Sequence, residues 1–274
     1  MTSSGRPIAN PYAGRVRLLF LGDIVGQPGR DGLARTMPQL RERYEPDLVV
    51  ANGENSAGGV GITEKTARQI LEAGVDVITT GNHVYRHREV YEFLDRSDRI
   101  VRPANYRAAN PGRGHTLVEA ASRRICVINL SGTVYLDADG SPFDEVDSLL
   151  ERLSGDADVF VVDFHAEVTS EKVAMGWHLD GRVAAVFGTH THVPTADARV
   201  LPRGTAFISD VGMTGSRAGV IGARREEVVQ AFRTQMPIRF GTAEEDVWVM
   251  GAAVEVGGDG LARSIEQVLV PVDE

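Results

Sequence analysis

Short apolar runs alternate with helically spaced segments through the first hundred residues. Residues 16–21, 48–51 and 75–79 read as buried strands. Residues 30–44, 64–73 and 88–95 carry apolar positions at helical spacing. A β-α-β-α-β opening of this kind predicts parallel strands joined by right-handed crossovers. The middle of the chain is patterned differently. Residues 114–119 and 124–129 are strand-like runs separated by a few polar residues, which predicts a hairpin and a mixed sheet system. Helices are expected at 143–153, 170–179 and 225–234, and strands at 159–164, 184–187 and 206–209. Two closing strands, 247–256 and 264–270, flank the turn Gly257-Gly258-Asp259-Gly260. Two sheets with helices outside fit this count better than one open sheet.

Composition narrows the class. The 274 residues are 42% apolar and 24% charged, with 30 glycines, which is globular composition and excludes collagen-like, coiled-coil and wholly disordered chains. At roughly 150 residues per domain the length is compatible with one or two domains. No interdomain linker or internal repeat is visible, so residues 16–274 are expected to form a single domain. Residues 1–15 are rich in Ser, Gly, Pro and Asn and lack the apolar core of a signal peptide, so they read as a flexible extension. No apolar run approaches the ~18 residues of a transmembrane helix. The net charge of −9 argues against an extended nucleic-acid surface, while leaving room for a local cationic pocket. One cysteine, Cys126, forbids an internal disulfide. These features predict a cytoplasmic protein. Of the 29 basic residues only Lys65 and Lys172 are lysine.

The chemistry gathers just beyond the strands. The expected strand ends run into Gly22-Asp23, Asn52-Gly53-Glu54-Asn55, Gly81-Asn82-His83, Asp163-Phe164-His165 and Gly188-Thr189-His190-Thr191-His192. In open α/β sheets ligands bind outside the carboxyl ends of strands, so these groups would share one crevice. Each piece alone has a plain reading: Asp23 as a cap or turn former, Glu54-Asn55 as a polar turn, Asn82-His83 as a loop pair, His165 as a structural histidine. His190-x-His192 is the most specific, because alternate residues of an extended segment share a face. Together they make a metal site the better reading. Two carboxylates, two amides and three imidazoles form an O/N donor set without sulfur, which suits Mn, Fe or Zn and argues against copper or iron–sulfur sites. Seven donors exceed the three or four of one catalytic zinc and suffice for two ions sharing a carboxylate.

This ordered set resembles the calcineurin-like metallophosphoesterases, and more narrowly their YmdB-like bacterial branch. The likeness extends to the strings Gly22-Asp23-Ile24-Val25-Gly26, Arg102-Pro103-Ala104-Asn105, Asp163-Phe164-His165-Ala166-Glu167 and Asp210-Val211-Gly212-Met213-Thr214-Gly215. It covers about residues 17–270. The resemblance implies a four-layer αββα sandwich of two mixed sheets. It also implies two divalent ions, iron or manganese ahead of zinc or magnesium. One would be held by Asp23, Glu54, Asn55 and His192, the other by Glu54, Asn82, His165 and His190. The superfamily's Asp-x-His is absent here, since Ile24 and Val25 follow Asp23. The resemblance places Asn55 in the missing His's stead and Glu54 as the bridge.

The implied activity is hydrolysis of a cyclic nucleotide, 2',3'-cyclic AMP first and 3',5'-cyclic AMP second. The implied attack comes from a metal-bridging hydroxide, with His83 as general acid. A histidine's ordinary pKa of ~6.5 and the need of a poor leaving group for a proton support that role. The rival readings are a phosphomonoesterase or RNA-end phosphoesterase, and a largely non-catalytic regulator of RNA decay. A (β/α)8 amidohydrolase fits less well, because its His-x-His is expected on the first strand. Partner expectations are the small phosphodiester, an RNA-decay protein and a homo-oligomer. Arg102 and Asn105 are weighed evenly between contacting substrate phosphate or base and bracing their loop. Asp210 is either a partner orienting a ligand histidine or a turn cap. The Gly-rich loop Ala57-Gly58-Gly59-Val60-Gly61 follows Asn55 and reads as a wall of the site. His87, His115 and His178 fall outside the pattern, and Cys126 reads as a core residue.

Overall fold

The computed structural model describes residues 14–273. The expected flexible extension, residues 1–15, therefore lies outside the described part except for its last two residues. No helix among the described residues is long and apolar enough to cross a membrane.

The first sheet has seven strands. β1 (Val16–Leu21) lies beside β3 (Leu48–Asn52), and β3 beside β4 (Val77–Thr79), all parallel. β12 (Val247–Val256) runs antiparallel to β1, to β11 (Met213–Ser216) and to β13 (Ala262–Pro271). The short β2 (Asp23–Ile24) pairs parallel with β11. The second sheet has six strands: β5 (His115–Ala120), β6 (Arg123–Ser131), β7 (Val159–His165), β8 (Ala185–Thr189), β10 (Ala206–Ile208) and β9 (Arg199–Val200), in that order. β6, β7, β8 and β10 are parallel neighbours, and the edges are antiparallel. The β5–β6 hairpin turns on Ala121 and Ser122, both in the left-handed region at φ 50° and 58°, the geometry that matches strand twist in two-residue turns.

The two sheets pack face to face. Leu18, Phe20, Val50 and Val77 from the first meet Val127, Val161, Phe187 and Ile208 from the second. Phe20 and Phe187 stack with ring centroids 4.5 Å apart, a pairing that contributes ~0.5–1.5 kcal/mol beyond its burial. The outer face of the first sheet is covered by α1 (Gly26–Tyr44), through Leu33, Met37 and Leu40, and by α2 (Glu64–Glu72), through Ala67 and Ile70. Thr63 caps α2 reciprocally with Thr66. The outer face of the second sheet is covered by α4 (Pro142–Leu153), whose Val146, Leu149, Leu150 and Leu153 form one stripe, and by α5 (Thr169–Leu179), through Met175 and Leu179. A turn of 3-10 helix at Arg88–Val90 runs into α3 (Tyr91–Arg96), and α6 (Arg225–Thr234) stands apart from these layers. The result is the αββα sandwich.

Several boundaries differ from the sequence pattern, each for a local reason. α1 begins at Gly26 instead of residue 30, because a proline such as Pro28 is tolerated in a first turn, where no intrahelical N–H bond is lost. The Gly/Pro run there reads as a breaker in sequence. β2, β9 and β11 are too short to carry a period-two pattern and are not legible as strands.

Candidate metal centre

The carboxyl ends of β3 and β4 in one sheet face those of β7 and β8 in the other. Buried polar groups join the sheets there. Asn52 Nδ2 donates to Asp163 Oδ2 at 2.9 Å, and the Thr80 N–H donates to Asn129 Oδ1 at 3.1 Å. On this floor the structure brings together all seven expected ligands and His83.

His165 Nε2 lies 3.0 Å from Asn82 Oδ1, 3.0 Å from His190 Nδ1 and 3.3 Å from Glu54 Oε1. Donor atoms of Glu54, His165 and His190 all fall within 4.8 Å of one another, close enough to share one ion. The second group adjoins it. His192 Nε2 lies 3.0 Å from the Asn55 amide and 3.8 Å from Asp23 Oδ1. Asp23 and Glu54 are fully buried.

The residues fit a resident cation on three counts. The outward nitrogen of each imidazole faces an acceptor. His165 Nδ1 faces Thr189 Oγ1 at 2.9 Å, His190 Nε2 faces Glu167 Oε2 at 2.9 Å, and His192 Nδ1 faces the Ile221 carbonyl at 2.9 Å. If each outward nitrogen carries the proton, the three lone pairs point inward, as metal-ligating imidazoles require. Asp23 Oδ2 accepts the His190 N–H at 3.1 Å, while its buried Oδ1 has no hydrogen-bond partner among the described residues. A buried carboxylate oxygen of this kind needs a counter-charge. Finally, a Cβ on Gly81 would run into the His165 ring and the Glu54 carboxylate, so the glycine makes room for the donors.

The electrostatics point the same way. Burial raises the Asp23 pKa against the pull of His192 and His165. Burial opposes charge on His165, yet Glu54, Asp23 and Asp163 hold its pKa up at about 9. Burial and the neighbouring His165 push His190 down to about 3. Burial also opposes charge on Glu54, but His165 and His83 keep its pKa well below the usual carboxylate range. The carboxylates favour positive charge on His165, and a cation bound there would compete with that proton.

The neighbouring groups hold the donors in place. Thr189 Oγ1 donates to Asp163 Oδ1 at 2.7 Å, which fixes His165 from behind. Asp210 Oδ2 accepts from the Thr191 N–H at 3.1 Å, from Thr191 Oγ1 at 2.8 Å and from Lys172 Nζ at 2.7 Å. Its Oδ1 accepts the Gly212 N–H at 2.9 Å, so Asp210 both shapes a turn and anchors the His-x-His segment. That segment is not extended: His190 and His192 sit at φ 98° and 65°. Their rings reach one site through this strained backbone, not through the alternation of a strand. The orienting roles of Glu167, Thr189 and Ile221 escaped the sequence reading, because nothing local marks a residue as the partner of a distant imidazole.

His83 Nδ1 lies 3.1 Å from both Glu54 Oε1 and Asn55 Oδ1, and the His83 N–H donates to Glu54 Oε2 at 3.0 Å. Its Nε2 makes no hydrogen bond among the described residues. The ring lines a cleft of about 850 Å³, together with Glu54, His190, His192 and the loop Gly58-Gly59-Val60. Arg102 and Asn105 are placed differently. Both are buried, and their amino groups go to main-chain carbonyls: Arg102 to Pro103 at 2.7 Å, Asn105 to Ser131 at 2.8 Å and to Gly140 at 2.9 Å. They line a separate pocket and brace their loop. His87 and His178 bond the Val60 carbonyl and Asp147, and Cys126 is buried in the core.

A two-sheet αββα fold with this donor set at its strand ends defines a metal-dependent phosphoesterase of the metallophosphoesterase fold. A family model described as "YmdB-like protein" matches residues 19–268, and the chain belongs to that family. It is 43% identical over 259 residues to the 2',3'-cyclic-nucleotide 2'-phosphodiesterase of Bacillus subtilis, covering 94% of this chain and 98% of the relative. A hypothetical protein from Thermus thermophilus superposes with a TM-score of 0.88 at 40% identity, covering 94% of this chain and all of that one. A structure described as a novel phosphatase from Mycoplasma pneumoniae also superposes at 0.88, with 34% identity and 95% of each chain covered.

Proposed function

We propose that this protein hydrolyses cyclic nucleotides at a dinuclear metal centre, 2',3'-cyclic AMP first and 3',5'-cyclic AMP second. The observation that carries the proposal is the pair of donor groups meeting at Glu54 beside a histidine whose Nε2 is unengaged. One ion would be held by Asp23, Glu54, Asn55 and His192, the other by Glu54, Asn82, His165 and His190. Bound divalent ions supply Lewis acidity, activating water and offsetting charge on the phosphate. Iron or manganese suits the sulfur-free O/N donor set, and a lone buried thiol accords with the cytoplasm.

The chain's own residues supply the rest. Glu54 and Asn55 hold the His83 ring through Nδ1, leaving Nε2 to carry a proton to the departing ribose oxygen. The 2'-phosphodiesterase activity of the Bacillus subtilis relative supports cleavage of the 2'-oxygen bond, with a 3'-nucleotide as product.

The test compares 2',3'-cyclic AMP with a phosphomonoester, p-nitrophenyl phosphate, on metal-loaded protein. The diester is expected to dominate, and dominant monoester cleavage would overturn the reading. His83→Ala is expected to lower kcat by about 10²–10⁴ with metal content retained. Fewer than two metal equivalents in fully loaded protein would sink the dinuclear part.

A further inference from the structure

The cleft that holds the metal donors has a second, apolar end with no part in the mechanism above. Val228, Ala231, Phe232 and Gln235 all line it. Their spacing of i, i+3, i+4 and i+7 is that of a core-facing helical stripe. Val228 is buried, but Phe232 is 82% exposed. After the left-handed Gln235 the chain returns past the cleft and adds Met236 and Phe240, which are 63% and 47% exposed. Three large apolar side chains facing one cavity signal a surface that something covers.

We propose that this wall, centred on Phe232 and Phe240, is the seat of the substrate's nucleobase. The inference rests on the cyclic-nucleotide reading and names the part of the site that reading leaves open. Two facts select the occupant. The wall and the phosphate-suited donors belong to one cavity, and its about 850 Å³ lies within the range of small-molecule sites. A cyclic nucleotide has the same polarity: an anionic phosphate at one end, a flat aromatic ring at the other, and a ribose between. Aromatic side chains stack on any base, and Gln235, the residue just after α6, offers a side-chain amide for hydrogen bonding. The seat therefore ranks bases by stacking area, purines ahead of pyrimidines. It touches no reacting atom, so it acts on binding.

The experiment is steady-state kinetics of the metal-loaded protein and its Phe232→Ala and Phe240→Ala variants. The substrates are 2',3'-cyclic AMP, 2',3'-cyclic CMP and the base-free diester glycerol 1,2-cyclic phosphate. Calorimetric binding of adenosine 2'-monophosphate runs in parallel. Each substitution is expected to raise KM for 2',3'-cyclic AMP about tenfold, with a far smaller change in kcat. Preference for it over the base-free diester should fall by about the same factor, and binding of adenosine 2'-monophosphate should weaken in step. Phe232→Trp should restore KM. Unchanged KM and unchanged nucleotide binding would overturn the proposal. So would unchanged KM with loss of a dimer in sedimentation, which would make the stripe a contact between copies. A wild-type enzyme that cleaves no cyclic nucleotide would overturn the proposed reaction instead, and the binding arm then decides the base seat by itself.

Discussion

Lys172 Nζ lies 2.7 Å from Asp210 Oδ2, with both side chains buried. One of two lysines in the chain thus sits 2% exposed, behind the residue that anchors Thr191 between His190 and His192. A Cβ on Gly188 would collide with the Ser209 carbonyl and press on the Lys172 stem, so the pair is closely packed. Removing one partner of a buried pair leaves the other charge uncompensated and costs about 3–5 kcal/mol. Lys172→Met is expected to lower unfolding free energy by that order in urea titration and to weaken metal affinity. A double variant with Asp210→Asn should cost less than the sum of the two singles. Additive losses would mean the two groups act separately.

Gly81→Ala tests the room made for the donors. The added methyl runs into His165 and Glu54, both packed without slack. Metal content, measured on purified protein, is expected to fall below half while far-UV circular dichroism stays native. A fully metallated Gly81→Ala protein would contradict that packing.

Metal removal should show in stability as well as activity. Asp23 Oδ1 has no hydrogen-bond partner among the described residues, so it is open to a cation. A ligand that binds only the folded state at a hundred times its Kd stabilises by about 2.7 kcal/mol. Chelation is expected to lower the Tm by several degrees, and manganese or iron to restore it. Asp23→Asn should blunt that response, and an undiminished Tm shift in this variant would count against Asp23 as a ligand.

One acid-limb effect lies outside the site. Arg124 donates to Asp158 through its side chain at 2.9 Å and its main chain at 2.9 Å. These bonds move the carboxyl from 3.8 to about 2. A depressed folded value means the stabilisation is complete above the unfolded pKa and is lost as pH falls through about 2. Asp158→Asn is therefore expected to reduce stability at neutral pH and to flatten the decline between about pH 4 and pH 2. Parallel wild-type and variant curves across that window would refute the assignment.

The linear chain by itself determined the layers and the donors. The long strands, such as 16–21 and 247–256, are legible as near-continuous apolar runs buried on both faces, and the helix at 143–153 because it buries one face at a fixed period; burial is a local demand on residue type. The site residues are legible because Glu54, Asn82 and His190 follow strand ends, His165 closes β7, and Asp23 stands just beyond β1. Only the tertiary structure decided how they are used. It turned His190 and His192 inward by a left-handed backbone held through Thr191 and Asp210, not by strand alternation. It supplied Glu167, Thr189 and Ile221 as orienting partners, and it committed the amino groups of Arg102 and Asn105 to loop carbonyls. The orienting pairings join groups 19 to 29 residues apart in the chain, and the Asn52–Asp163 bond between the sheets spans 111. Composition and periodicity hold no record of distance in space.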